Sequence, residues 1–203
     1  MIEAGIFDVG GVLVTDEMAH VRQDIRVTLA VPEAVFARAW AELVPLLGTG
    51  RITEAEFWRR FIALTGARGA LPAESLFLRE YARRAVVQGE VLALAARLRR
   101  RGLRTAVLSN TVAAHVEYLA RRGLFDGFGV RIFSNEVGLR KPDPCIYRRC
   151  LEALGLGDRP EAAFFVDDVE ENVAAARAVG IHGIVFTSAR QLAADVRRLG
   201  VAL

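Results

Sequence analysis

Hydrophobic and polar positions follow two different rhythms along this chain. Five short runs rich in Val, Ile and Phe, at roughly 4–9, 104–109, 129–133, 162–167 and 183–187, read as strands buried on both faces. Helical spacing fills the intervals between the later runs. Residues 89–101 place Val91, Leu92, Leu94, Ala95 and Leu98 on one face, with Gly102 as the stop. Residues 144–154 begin with Asp143 as cap and Pro144 at the first helical position, and residues 170–179 close at Gly180. Strands alternating with helices predict an α/β fold with a doubly wound parallel sheet.

Between the first two strands the rhythm changes. From 16 to 86 there are only helical stripes: Met18, Val21, Ile25 and Leu29; Phe36, Trp40, Leu43 and Leu47; Phe57, Phe61 and Leu64; Leu76, Phe77 and Tyr81. Thr53 and Glu56 have capping-box spacing ahead of the third stripe. The expectation is a four-helix cap over 16–86, inserted into a core domain made of 1–15 and 87–203.

Composition narrows the class without naming a function. A chain of 203 residues that is 53% hydrophobic and 25% charged is globular rather than disordered. No apolar run has membrane-spanning length, and the stretch before Asp8 is too short and too acidic for a secretory leader, so a cytoplasmic protein without a membrane partner is expected. Cys145 and Cys150 are expected to be buried, reduced thiols in one helix, and His20, His115 and His182 have no zinc spacing. The net charge of +3 gathers no aromatic-plus-basic platform. Arg97, Arg99, Arg100 and Arg101 suit the solvated last turn of a helix, so no nucleic-acid partner is expected. Of the 27 basic residues only Lys141 is a lysine, and Asn110, Asn135 and Asn172 are the only asparagines, all expected in loops or at strand ends. A lone lysine points to a position that needs a compact ammonium.

In open α/β sheets, ligands sit beyond the carboxyl ends of the strands. Four polar clusters fall there: Asp8, "LSNT" (108–111), "RKPDP" (140–144) and "VDD" (166–168). Singly, each has a plain explanation as a cap, a turn or a surface lysine. Together, three carboxylates on one rim call for a hard cation, and oxygen ligands favour Mg²⁺. A lysine and a hydroxyl on the same rim, near open helix N-termini, suit a phosphate. An ionised Asp8 beside them is a candidate nucleophile, which points to phosphoryl transfer to Asp8 followed by hydrolysis.

Taken in order, "FDVGGVLV", "LSNT", "GLRKPDPCIY" and "FFVDDVEENVAAARAVGI" make the chain resemble the haloacid dehalogenase-like superfamily over nearly its whole length. The resemblance is to the branch with a helical cap after the first strand, which includes sugar-phosphate phosphatases and the phosphatase-like domain of soluble epoxide hydrolases. It implies a Mg²⁺-dependent phosphatase acting on a small phosphorylated metabolite, a sugar phosphate among the candidates. Asp8 would be the nucleophile, with Ser109 and the backbone around Asn110 holding the phosphate. Lys141 would balance the charge of Asp8 and the phosphate. Asp167 and Asp168 would hold Mg²⁺ directly or through water, completed by Asp8 and the main-chain carbonyl of Gly10, and the cap would close over the substrate and select it.

One position departs from the pattern. Where the superfamily usually has a second aspartate as general acid/base, this chain has Gly10. Losing such a group typically costs about 10²–10⁴ in rate. Three expectations follow: a preference for better leaving groups such as sugar 1-phosphates, recruitment of Asp16 or Glu17, or a non-catalytic binding or regulatory protein that keeps the fold. A metal-free 2-haloacid dehalogenase is a lesser alternative, since that chemistry has no use for the 167–168 acidic pair.

Overall fold

The middles of the strands are apolar because both faces of the sheet are covered, and polar residues such as Arg104, Ser109 and Asp167 fall at strand ends. The computed structural model describes residues 1–15, 18–68 and 75–203. Its strands are β1 (Ala4–Phe7), β2 (Arg104–Ser109), β3 (Val130–Phe133), β4 (Ala163–Asp167) and β5 (His182–Val185). They form one parallel sheet in the order β3-β2-β1-β4-β5. Side chains alternate between the two faces. Ala4, Ile6, Ala106, Leu108, Ala163 and Phe165 join one apolar cluster, while Phe7, Val107, Phe164 and Val166 join the other.

Each face is closed by helices with matching stripes. One cluster takes Val91, Leu94 and Leu98 from α5 (Gly89–Arg100), Leu119 from α6 (Ala113–Ala120), and Leu192 and Val196 from α10 (Ala189–Arg198). The other takes Ile146, Tyr147, Cys150 and Leu151 from α8 (Pro144–Ala153) and Ala176 from α9 (Glu170–Ala178). A four-residue helix, α7 (Ser134–Val137), leads away from β3. Among the described residues no helix is long and apolar enough to cross a membrane.

The inserted helices are α1 (Met18–Thr28), α2 (Glu33–Gly48), α3 (Glu54–Thr65) and α4 (Leu76–Ala82). An aromatic cluster holds them together. Phe57 meets Trp40, Trp58, Phe61 and Phe77 with ring centroids 4.8–5.8 Å apart, distances at which edge and offset contacts add to burial. Thr53 caps α3 by accepting from the Glu56 N–H at 3.2 Å, but the Glu56 carboxylate turns to Arg59 and Arg60 instead of closing the box. The two strands of chain that lead into and out of the insertion pair with each other. The Thr15 N–H donates to the Val86 carbonyl at 2.9 Å and the Gln88 N–H to the Leu13 carbonyl at 2.8 Å. Gly50, in the left-handed region, lets the α2–α3 turn rest against the Asn135 carbonyl, where a Cβ would overlap it.

Several expectations need correction. Cys145 is exposed and only Cys150 is buried, because Cys150 lies on the apolar stripe with Ile146, Tyr147 and Leu151 and Cys145 lies off it. Asn135 and Asn172 lie in helices α7 and α9, not in loops. Met18 is 37% exposed although its spacing fits the first stripe. Helix α6 occupies the interval between β2 and β3, where a helix was expected without bounds; α7 and α10 were not expected, the first being a single turn and the second mostly polar apart from a narrow apolar stripe.

Replacing Phe57 with alanine is expected to destabilise the protein by about 3–5 kcal/mol, since a fully buried ring with four aromatic neighbours leaves a cavity. Urea denaturation checks this, and a loss of under about 1 kcal/mol contradicts the packing described.

Candidate active site

The sheet order places β1 between β2 and β4, at the point where the connections reverse direction and a crevice opens at the carboxyl ends. Asp8 follows β1 directly. Its N–H continues the ladder to the Val166 carbonyl at 3.0 Å, after which the chain turns, with the Leu13 and Val14 N–H groups returning to the Val9 carbonyl at 2.9 Å. Ser109 ends β2 and Asp167 ends β4, both buried, so three neighbouring strands deliver polar groups to one rim.

Lys141 reaches that rim from the loop before α8. It is 1% exposed, and its Nζ lies 2.8 Å from Asp8 Oδ1 and 2.6 Å from Asp167 Oδ2, with the Phe165 ring centroid at 5.4 Å. The Asn110 side chain sets its position: Oδ1 accepts from the Lys141 N–H at 2.8 Å, and Nδ2 donates to the Lys141 carbonyl at 2.9 Å. On the other side, Asp167 Oδ1 accepts from the Val169 N–H at 2.8 Å, and Asn172 Nδ2 lies 3.1 Å from both carboxylate oxygens. The Asn172 carbonyl in turn accepts from the Tyr147 hydroxyl at 2.8 Å. Asp167 is thus anchored by two groups, the Val169 N–H and the Asn172 amide, and anchors the lysine.

Oxygens of Asp8, Asp167 and Asp168 lie within 4.8 Å of one another. Gly11 makes room for this approach: its φ is +75° and a Cβ there would overlap the Asp168 carboxylate. Gly10 is different. A Cβ at Gly10 meets nothing within 4 Å, so its bareness is not a steric demand. The chain at Asp16 and Glu17, proposed from sequence as substitute acids, lies outside the described residues.

The charges act on each other. Burial pushes the Asp8 carboxyl up to about 7; the Lys141 ammonium opposes that rise and the Asp167 charge adds to it. Burial by itself would lower Lys141, but the Asp8 and Asp167 carboxylates outweigh it and hold the ammonium above its usual range. A single ammonium among three acids leaves the rim short of positive charge, and all-oxygen donors at this spacing fit a hard divalent cation.

Apart from Asp16 and Glu17, the residues singled out from sequence lie around this rim: Asp8, Gly10, Ser109, Asn110, Lys141, Asp167 and Asp168 sit on adjoining strand ends and loops. Asn110 differs in use, its side chain bracketing the Lys141 backbone. Sequence reasoning missed Asn172, Tyr147 and Gly11. The scarcity of asparagine was the one signal that pointed toward Asn172.

Known proteins were compared with this chain. The family model for haloacid dehalogenase-like hydrolases matches residues 2–180. Acyl-CoA dehydrogenase family member 10 of Mus musculus is 32% identical over 196 residues, covering 89% of this chain and 17% of its own length. Phosphoserine phosphatase of Thermus thermophilus is 38% identical over 109 residues, covering 53% of this chain and 43% of its own. The chain therefore spans less than half the length of both. A phosphatase of Mycobacterium tuberculosis is 26% identical over 212 residues, covering 100% of this chain and 97% of its own. Among solved structures, a HAD family enzyme of Bacteroides thetaiotaomicron in complex with magnesium and inorganic phosphate superposes with a TM-score of 0.76 at 23% identity, covering 92% of this chain and 95% of that one.

The ionisation of Asp8 can be isolated by comparing wild type with Asp8→Asn in EDTA. An acid whose folded pKa is raised from 3.8 to about 7 favours the folded state below the lower value and loses that advantage as pH rises to the upper one. The stability difference should therefore widen in favour of Asp8→Asn across that interval, as thermal melting would show. A constant difference contradicts the buried, raised carboxyl.

Proposed function

The chain belongs to the haloacid dehalogenase-like hydrolases, and from that premise we propose that it is a Mg²⁺-dependent phosphatase that cleaves a small phosphorylated metabolite through an aspartyl phosphate on Asp8. The observation that carries this reading is the meeting of Asp8, Lys141, Asp167 and Asp168 at one strand-end rim, with three carboxylates in mutual reach. The phosphatases among the chain's relatives support it. The insertion α1–α4 is read as a cap over the site, with domain limits at 16–86.

Asp8 and Asp168 are the carboxylates placed to hold the cation, with Asp167 beside them and the Gly10 carbonyl available from the turn. When bound, Mg²⁺ supplies positive charge to the phosphoryl oxygens and to the acids. Asp8 Oδ1 is fixed by the Val9 N–H at 2.7 Å and by Lys141, which leaves Oδ2 as the attacking atom. Attack forms the O–P bond to Asp8 and breaks the bond to the leaving alcohol, whose oxygen takes a proton from water. Water then attacks the same phosphorus, releasing inorganic phosphate and restoring the carboxylate. Ser109 and the N–H groups of the following turn hold the phosphoryl group during both displacements, and Lys141 eases the ionisation of Asp8 and offsets the charge of the dianion.

Gly10 favours a second reading, a fold-retaining binder without turnover, because it removes the usual proton donor. The anchored lysine and the mutual reach of the acids favour the enzyme: a binder would have little need of a nucleophile held this way. Without that donor, substrates whose alcohol leaves easily should react best.

Phosphate release from acetyl phosphate is expected with Mg²⁺ and not with EDTA, and Asp8→Asn should abolish it. Release that survives Asp8→Asn contradicts the assignment of the nucleophile. Because the space beside Gly10 is open, Gly10→Asp should raise turnover of simple alkyl phosphates by about tenfold or more while changing acetyl phosphate hydrolysis little. Unchanged alkyl phosphate turnover would show that the missing acid does not limit the enzyme.

A further inference from the structure

The turn that carries Gly10 and Gly11 is held at both ends. Before it, the Asp8 N–H reaches the Val166 carbonyl at 3.0 Å; after it, the Val12, Leu13 and Val14 N–H groups converge on the Val9 carbonyl at 2.9–3.3 Å. Between these anchors stand two glycines in succession, the residue with the widest choice of backbone conformations. The Asp168 carboxylate rests where a Cβ of Gly11 would stand, so its place beside the turn depends on how Gly11 is set, at φ +75°.

A hydrogen bond reaches Gly11 from outside the turn. Gln88 Nε2 donates to the Gly11 carbonyl at 3.1 Å, in half-buried surroundings. The N–H of the same residue donates to the Leu13 carbonyl at 2.8 Å, and Val87 beside it makes an antiparallel bridge with Val14. Gln88 therefore grips the turn through backbone and side chain together. Its place in the fold makes the direction of that side chain informative. Gln88 is the N-cap of α5, where a polar side chain ordinarily turns back to an unpaired N–H of the first turn, yet it makes no such bond. The amide is directed to the neighbouring loop instead.

Resting on the Mg²⁺-dependent reading above, we propose that Gln88 is a positioning residue for the cation site: by pinning the Gly11 carbonyl it fixes the turn against which Asp168 packs, and so the spacing of Asp168 from Asp8. It acts through Gly11 and Asp168 and is not itself a ligand. Once that bond is lost, the peptide after Gly11 is free to reorient, the left-handed setting is left by part of the population, and the acids must be reassembled whenever a cation binds. Affinity falls by the fraction of molecules that are out of place. Because Gln88 lies where the chain returns from the insertion, the same bond ties the cation site to the insertion's exit.

Isothermal titration of the substrate-free protein with Mg²⁺ tests this. Gln88→Met keeps the length of the side chain and removes the donor; it should weaken Mg²⁺ binding about tenfold, the lower end of what losing a hydrogen bond behind a metal ligand costs. The Mg²⁺ concentration that gives half-maximal acetyl phosphate hydrolysis should rise by a similar factor. Thr15→Val is the control. It removes another hydrogen bond of the same crossing, from the Val86 N–H to Thr15 Oγ1 at 3.3 Å, without touching Gly11, and should bind Mg²⁺ as wild type does. Asp168→Asn should weaken binding by itself, and adding Gln88→Met to it should change little more, since residues that act through one contact are not additive. Equal affinity of wild type and Gln88→Met, equal weakening by Thr15→Val, or additive losses in the double variant overturns the proposal. If Gln88→Met melts too low in EDTA to be titrated, Gln88→Asn, whose amide falls one methylene short of the carbonyl, makes the same comparison. Wild type that neither binds Mg²⁺ nor hydrolyses acetyl phosphate with it defeats the phosphatase reading and this inference with it; Mg²⁺ bound alike by wild type and Gln88→Met defeats this inference alone.

Discussion

Lys141 is buried between two carboxylates, and the rim of the sheet is arranged around that ammonium. An ion removed from water is costly unless paired and hydrogen-bonded, and here Asp8 and Asp167 provide both, at 2.8 and 2.6 Å. Each partner is itself held. Asn110 fixes the lysine's backbone, Asn172 and the Val169 N–H fix Asp167, and the Val9 N–H fixes Asp8. The groups come from four separate segments, so this network also ties together the ends of β1, β2 and β4 and the start of α8. An arginine, larger and inclined to clamp a single carboxylate, would not sit between two acids in the same way. That gives a physical reason for one lysine in a chain that otherwise uses arginine.

The two adjacent glycines of the first loop serve different ends. Gly11 is required, because its backbone conformation and the approach of Asp168 leave no room for a side chain. Gly10 is not required by space, so its lack of a carboxyl is a chemical property of the site. The charge balance follows from the same loop: Asp8 is raised because burial and a neighbouring acid outweigh one ammonium, and a divalent cation is what would return it to the ionised form needed for attack. The insertion contributes Trp40, Val44 and Phe77 to a cavity that also borders Asn110, Thr111 and Val112 after β2.

Much of this was legible in the sequence. The apolar runs mark the strands clearly, and all five fall within two residues of their observed ends, the largest overruns being β1, expected through residue 9, where the chain leaves the sheet for the turn that presents Asp8, and β5, expected through residue 187. The α2 and α3 stripes were clear because Phe36, Trp40, Phe57 and Phe61 repeat at helical spacing. The bounds of helix α6 were not legible: it has eight residues and only His115 and Leu119 are buried in it. The Asp8, Lys141 and Asp167 constellation was foreseen because each falls just past a strand end or in the following loop. Asn172 was not, since its part depends on the first turn of α9 folding back over β4, a tertiary contact that spacing cannot encode. His115 has no metal spacing, and its burial against Tyr81 and Phe77 depends on a different segment.

The central claim is that the Asp8 carboxylate, held by Lys141, accepts the phosphoryl group. Acid-quenching the protein during turnover of acetyl phosphate with Mg²⁺, then mapping its peptides by mass spectrometry, tests this directly. The account predicts a phosphoryl increment on the peptide containing Asp8, localised to that carboxyl. Steady phosphate release with the increment on another residue, or with none on any peptide across repeated quench times, would contradict it.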